Sequence, residues 1–289
     1  MKYYVLYNPL AGTGSAEAEV NALSEKLSAE IEKCDITKIS SYAEFFAGIT
    51  PDDVVILCGG DGTLNRFIND TDGIDIPCDV MYMAAGSGND FLTDVQKTLE
   101  ECPFSIKKYI ENLPTTTVKG KDYKFINNVG FGIDGYCCEV GDKLKAESTK
   151  AVNYTGIAIK GLLFHYKPTN ATIIVDGKQH CFKKVWLAPT MKGRYYGGGM
   201  MAAPAQDRLN PDGELSVMVF NGGGRLSTLI AFPSIFKGEH VNKKMVTILT
   251  GKEITVKFDG PRAVQVDGET ILGVTEYTAR AAVPAKVEA

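Results

Sequence analysis

Histidine is scarce in this sequence, with 3 in 289 residues, and none stands at ligand spacing from a cysteine, which argues against a zinc centre. The 7 cysteines are scattered and odd in number, and no Cys-x-x-Cys pair occurs. The adjacent Cys137 and Cys138 are poorly placed to bridge each other, so the set reads as reduced thiols rather than a disulfide framework. No apolar run is long enough to span a bilayer. Met1-Lys2-Tyr3-Tyr4-Val5-Leu6-Tyr7 enters a strand pattern directly, without a signal-peptide layout, so a cytoplasmic location is expected. No dense Lys/Arg run occurs and the formal charge is −4, which leaves a nucleic-acid backbone no electrostatic footprint. A membrane-surface role stays open, because a local basic and aromatic patch acts regardless of net charge. Internal repeats and low-complexity tracts are absent as well.

What remains is an ordinary globular composition, 44% hydrophobic and 23% charged, in a chain long enough for two domains. Its most informative stretch is Gly59-Gly60-Asp61-Gly62-Thr63-Leu64-Asn65, which follows the apolar run Val54-Val55-Ile56-Leu57-Cys58. An unbroken β-branched run reads as a buried parallel strand. Glycines at its carboxyl end let backbone N–H groups approach a ligand that side chains would block, which makes a phosphate cradle. A plain strand-to-helix turn with Asp61 as N-cap is the simpler alternative, but three glycines around one Asp exceed what a cap needs.

The same construction recurs. Tyr3 to Tyr7 runs as a strand into Asn8-Pro9-Leu10-Ala11-Gly12-Thr13-Gly14-Ser15, and Val20, Leu23, Leu27 and Ile31 then mark a helix capped by Ser15. A brief strand is expected at Asp35 to Ile39, and a short helix through Phe45 and Phe46 ending near Gly48. Val80 to Ala84 leads to Gly86-Ser87-Gly88-Asn89-Asp90-Phe91. Strand and helix in alternation predict a parallel sheet with ligands at the carboxyl ends of its strands.

Beyond Pro114 the texture changes to short β-branched segments: Lys124 to Val129, Ala171 to Val175, Lys184 to Ala188, Leu215 to Phe220, Met245 to Leu249, Glu253 to Phe258 and Ala263 to Val266. One helical interval, Lys150 to Tyr166, intervenes. The expected architecture is an α/β nucleotide-binding domain over residues 1–116 with a parallel sheet, then a mostly antiparallel β-rich domain over 117–289. The chemistry is expected in the cleft between them, and a return of the last residues to the first domain is left open. Asp176-Gly177 and Asp259-Gly260 read as hairpin turns, as does Asp267-Gly268 in the absence of other information.

These motifs resemble the diacylglycerol kinase catalytic family, the lipid kinases that include bacterial diacylglycerol kinases and sphingosine and ceramide kinases. The resemblance rests on Asn8-Pro9 with Gly12 and Gly14, on Gly59 through Asn65, on Gly86 through Phe91 and on Val266-Asp267-Gly268-Glu269. The Gly-Gly-Asp-Gly-Thr element alone is shared with NAD kinases and phosphofructokinases, and the other two narrow it to the lipid-kinase branch. The resemblance implies phosphoryl transfer from ATP with Mg2+ to a lipid hydroxyl, diacylglycerol foremost, by a peripherally membrane-associated enzyme. Asn8, Pro9, Gly12, Thr13, Gly14 and Ser40 would lie around the nucleotide. Gly59, Gly60, Asp61, Gly62, Thr63 and Asn65 would hold phosphates, with Gly88, Asn89 and Asp90 in the same network. Asp61 would act through magnesium, Glu269 would be the general base, and Asp267 is carried over beside it as catalytic.

A structural magnesium site is implied at Leu209, Asp212 and Glu214, with Asp207 as the fallback ligand. Three positions depart from the family pattern. Thr13 stands where a Lys or Arg is common, Arg66 where a Glu is, and Val118 where bacterial members carry an acid. Arg66 is a candidate to supply the charge Thr13 lacks. Two stretches suit a bilayer interface: Gly193 to Met200, with Tyr195 and Tyr196, and Leu226 to Lys237. A homodimer is left open. The competing readings are a kinase of another lipid or a soluble acceptor, and a nucleotide or lipid sensor without catalysis.

Overall fold

The computed structural model describes residues 1–9, 16–27, 31–85, 88–147 and 152–282. Its backbone contacts divide the chain into unit 1, Met1–Glu111, and unit 2, Asn112–Ala289.

Unit 1 carries β1 (Tyr3–Tyr7), α1 (Ala16–Leu27), β2 (Ile31–Asp35), α2 (Tyr42–Ala47), β3 (Val54–Gly59), α3 (Asp61–Asp70), β4 (Asp79–Ala84), α4 (Asp90–Asp94), β5 (Phe104–Ser105) and α5 (Lys107–Ile110). The sheet order is β2-β1-β3-β4-β5, parallel except for the last pair. Val55, Ile56 and Leu57 of β3 are fully buried, as an unbroken apolar run flanked by two parallel strands requires. The second strand lies earlier than Asp35 to Ile39. Ile31, expected on the first helix, opens β2, and Asp35 closes it by accepting the Thr37 N–H (3.0 Å) and hydroxyl (2.7 Å) to start a 3-10 turn. Strands β1 and β3 are neighbours while β2 lies on the far side of β1, so the strand order reverses between β1 and β3, and ligands of open α/β sheets sit at the carboxyl ends of such a pair.

Unit 2 carries β6 (Thr115–Val118), β7 (Lys121–Lys124), β8 (Asn128–Gly132), α6 (Ile133–Glu147), α7 (Tyr154–Lys160), β9 (Thr169–Val175), β10 (Lys178–Met191), β11 (Tyr195–Tyr196), β12 (Met200–Met201), β13 (Leu215–Asn221), α8 (Arg225–Ala231), β14 (Val246–Gly251), β15 (Glu253–Val266) and β16 (Glu269–Arg280). Its main sheet is antiparallel, in the order β14-β13-β10-β8-β15-β16-β6-β7, with β9 paired to β10 and β15. Strand alternation splits the core. Val129, Phe131, Val264, Val266 and Tyr277 face one cluster, in which Phe131 stacks on Phe258 at 4.4 Å; Leu187, Met191 and Phe220 face another beneath α6 and α8.

Several expected segments shift. Glu253 to Phe258 and Ala263 to Val266 are one strand, because Asp259-Gly260-Pro261 is not a hairpin but a bulge between Lys257 and Arg262, with Gly260 at φ +101°. The expected Lys124 to Val129 strand is divided between β7 and β8. Helix α6 escaped the pattern because Gly135 and Gly141 dilute it. Both permit close packing: a Cβ at Gly135 would lie 2.1 Å from the Ala263 carbonyl oxygen, and one at Gly141 2.6 Å from the Tyr154 ring. The Lys150 to Tyr166 interval shortens to α7 followed by a π turn at Gly161–His165, and Lys150 falls outside the described residues. Val118 is part of the apolar core.

Candidate active site

In unit 1 the glycine motifs stand at the carboxyl edge of the sheet, where Gly59 pairs with Ala84. Gly59 admits Thr63, whose side chain would sit 2.4 Å from a Cβ there, and Gly60 admits the Gly88 carbonyl, 3.0 Å from its own Cβ position. At Gly62 a Cβ would meet nothing within 4 Å, so its bare backbone faces open space. Helix α3 starts at Asp61 with Gly60 as its cap and no side-chain capping bond. The bland expectation that Asp61 caps the helix after β3 is therefore corrected. Its carboxylate caps the next one instead, accepting the N–H of Asp90 (2.8 Å) and of Phe91 (3.1 Å), while the Asp61 N–H donates to the Gly88 carbonyl (3.0 Å). One residue thus ties two glycine loops together across the sheet edge. Asp90 is buried at that junction, and Asn65 is buried on α3. Asn8 and Pro9 follow β1, and Ser40 is exposed beyond β2. Gly12, Thr13, Gly14 and the Ser15 cap, with Gly86 and Ser87, lie outside the described residues. Arg66 pairs with Asp70 (3.3 Å) along its own helix, an i,i+4 bridge that gives it a local partner.

In unit 2 the late Asp-Gly-Glu motif closes a two-residue hairpin. Val266 pairs with Glu269, and Asp267 and Gly268 both have left-handed backbone, φ +46° and +95°, as a type I′ turn needs. Asp267 spends its carboxylate on three backbone N–H groups of the β7–β8 link, Ile126 (2.7 Å), Asn127 (2.8 Å) and Asn128 (2.8 Å). The three bonds fix the turn that presents Glu269, the residue two further on. Glu269 is exposed at the sheet end and no partner holds its carboxylate among the described residues.

At the implied structural magnesium site the Glu214 carbonyl accepts from the side-chain amides of Gln206 (2.8 Å) and Asn210 (3.0 Å). Asp212 is exposed and faces Lys252 at 3.6 Å, the Leu209 N–H donates to Asp207, and no acid, cysteine or histidine cluster able to hold a metal occurs among the described residues. Asp61 and Asp90 are the carboxyl groups beside the glycine loops, and both Asp61 oxygens already accept backbone N–H groups, which leaves them the outer, water-mediated contact to an ion that keeps most of its waters.

Sequence reading missed a polar group beneath α6. Asn128 Nδ2, Asp134 Oδ2 and Gln265 Nε2 are all buried without a hydrogen-bond partner, and Gly130 leaves room for them, since its Cβ would fall 2.1 Å from Asp134 Oδ2 and 3.0 Å from Gln265 Nε2. Groups left unsatisfied in one place are what a polar ligand group would satisfy. The signal was available, for Gly130-Phe131-Gly132-Ile133-Asp134-Gly135 repeats the strand, glycine, Asp construction of unit 1.

Burial pushes the Asp134 carboxyl up to about 6, against the pull of the Gly135 N–H. The fold therefore prefers the protonated acid. The penalty for ionising it is absent below about pH 4, grows to about pH 6 and persists above, reaching at most ~3 kcal/mol. Asp134→Asn removes that dependence. In urea unfolding followed by the single tryptophan, Trp186, which is buried in unit 2, the variant should gain ~2–3 kcal/mol on wild type between pH 4 and pH 7. An equal difference at both pH values would overturn the assignment.

Two family descriptions cover most of the chain: "Diacylglycerol kinase catalytic domain" matches residues 2–120, and "YegS C-terminal NAD kinase beta sandwich-like domain" matches residues 127–288. A Mycobacterium tuberculosis protein named diacylglycerol kinase is 25% identical over 282 residues, 93% of this chain and 88% of the relative. The crystal structure of a Bacillus anthracis diacylglycerol kinase superposes with a TM-score of 0.59 at 19% identity, over 99% of this chain and 98% of that one, a likeness of fold.

Proposed function

The chain belongs to the diacylglycerol kinase catalytic family, and from that premise we propose that it transfers the γ-phosphate of ATP to a lipid hydroxyl, with diacylglycerol, giving phosphatidic acid, as the acceptor placed first. The observation that carries the reading is the Asp61 carboxylate joining the turn after β3 to the start of α4 at the sheet edge. Magnesium bound with ATP would neutralise charge developing on the phosphates, its waters held by Asp61 and Asp90. Gly62, where a Cβ would meet nothing within 4 Å, offers bare backbone to phosphate oxygens at the start of α3. Glu269, with its carboxylate unengaged, takes the proton of the attacking hydroxyl.

A membrane substrate needs a docking surface, and unit 2 supports one of the two expected stretches. Tyr196 is buried, which weighs against Gly193 to Met200. Along 226–237 the side chains divide: Leu229, Phe232 and Ile235 pack inward, while Leu226 (66%), Ile230 (72%) and Phe236 (43%) are exposed. Arg225 donates to the Leu162 carbonyl (2.9 Å), bringing α8 against the π turn that carries Phe164, 69% exposed. Apolar side chains in the open beside Lys160, Arg225 and Lys237 suit an interface.

The test presents labelled ATP and magnesium with diacylglycerol, ceramide, sphingosine, phosphatidylglycerol and undecaprenol, each in mixed micelles. Label in the organic-extractable product from diacylglycerol is expected. Label from another lipid reassigns the acceptor, and none from any lipid overturns the lipid-kinase reading in favour of a soluble acceptor or a sensor.

A further inference from the structure

Lys192 is a buried cation that the scheme above does not use. It is only 6% exposed, and no acceptor bonds its ammonium among the described residues. An isolated buried charge is strongly unfavourable, so such groups are paired or await a partner. Nearby, Arg208, equally buried, donates to the Ile126 carbonyl (2.9 Å) and to Asn127 Oδ1 (3.0 Å), and Asp207 accepts the Leu209 N–H (2.9 Å). Burial first and Arg208 second bring the Lys192 ammonium down to about 8, with Asp207 opposing.

Strand register places this cation with the proposed base. Thr190 pairs with Val129, Val129 with Val266, and Val266 with Glu269, so all four lie in one row across the sheet. Strand β10 ends at Met191, and just past it the N–H groups of Lys192 (2.8 Å) and Gly193 (3.3 Å) both donate to the Asn127 carbonyl, at the sheet end where Asp267 accepts the Asn127 N–H and Glu269 follows the turn. Three strand spacings across the sheet and two residues along it put the backbones of Lys192 and Glu269 about 16 Å apart.

We propose that Lys192 binds a phosphoryl oxyanion at this sheet end, the one that carries Glu269. The chemistry is that of a tetrahedral phosphate ester, which supplies the counter-charge Lys192 lacks. Two sources share it: the phosphate of the phosphorylated lipid and the terminal phosphoryl of the nucleotide. The inference rests on the lipid-kinase reading only in naming these sources.

The experiment titrates the full chain calorimetrically with inorganic phosphate, short-chain phosphatidic acid, short-chain diacylglycerol and ATP, using wild type, Lys192→Met, Lys192→Gln and Lys192→Arg. Lys192→Met and Lys192→Gln should weaken inorganic phosphate and phosphatidic acid ~10-fold or more and leave diacylglycerol unchanged, with Lys192→Arg restoring most of the affinity. Losses confined to inorganic phosphate and ATP also support the site and make the nucleotide the source. Phosphate ligands bound by both neutral variants as tightly as by wild type, with unaltered circular dichroism, overturn it. Melting temperature gives a second readout, because inorganic phosphate should raise that of wild type and not that of Lys192→Met. If wild type phosphorylates no lipid while phosphate binding still needs Lys192, the acceptor reading falls and the anion site stands. If lipid is phosphorylated and the neutral variants bind every phosphate ligand normally, the anion site alone falls.

Discussion

Asp267→Ala lowers the unfolding free energy of unit 2 by ~3–5 kcal/mol, the first of two large effects expected here, and it does so without deleting any apolar contact. The carboxylate accepts three N–H groups, from Ile126, Asn127 and Asn128, and all three residues are buried. Each bond to a charged acceptor contributes ~1.5–3 kcal/mol, and the total falls short of the sum because the hairpin can shift and admit water. Asp267→Asn should be milder. Its amide oxygen still serves Asn127 and Asn128, but its NH2 group faces the Ile126 donor. Trp186 fluorescence during urea unfolding measures both. A loss under ~1 kcal/mol for Asp267→Ala would mean the clamp is not formed in solution. Catalysis should fall with stability in this variant, since the clamped turn is what holds Glu269 in place.

Asp176 shows that this is a general device of the sheet. It opens the Asp176-Gly177 hairpin and accepts the N–H groups of Lys252 (2.9 Å) and Glu253 (2.8 Å) on the neighbouring strand. Both turns were legible in sequence as Asp-Gly, but the partners were not, because the clamped backbones are far away along the chain. Asp61 has the same history. Its glycine neighbours announced a phosphate loop, yet its bonds to Asp90 and Phe91 depend on β3 and β4 being adjacent, which local pattern does not encode.

The parallel sheet was legible because β3 is apolar without interruption and each glycine cluster follows a strand. The antiparallel unit was legible in kind but not in detail. Glycine means a turn at Gly268, a bulge at Gly260 and helix packing against a strand at Gly135, and only tertiary contact separates the three. Asp134 and Lys192 were missed for a related reason. Nothing in a sequence marks one acid or one lysine among the 35 and 31 charged residues of each sign as buried.

Glu269→Gln should reduce the turnover number for phosphate transfer by ~10²–10⁴-fold while leaving the fold and ATP affinity intact. The substitution keeps size and polarity and removes only the ability to take a proton. Glu269 is exposed and no partner holds its carboxylate among the described residues, so the stability penalty that accompanies Asp267→Ala has no counterpart. Initial rates of label transfer from ATP to the accepted lipid carry the test. A drop smaller than ~10-fold would remove Glu269 from the role of base and leave the positioned hydroxyl to react without one. The two substitutions also test each other. Asp267→Ala should lose stability and rate together and Glu269→Gln rate alone, so a variant pair that behaved identically would mean that the hairpin, and not the carboxylate it presents, is what the reaction requires.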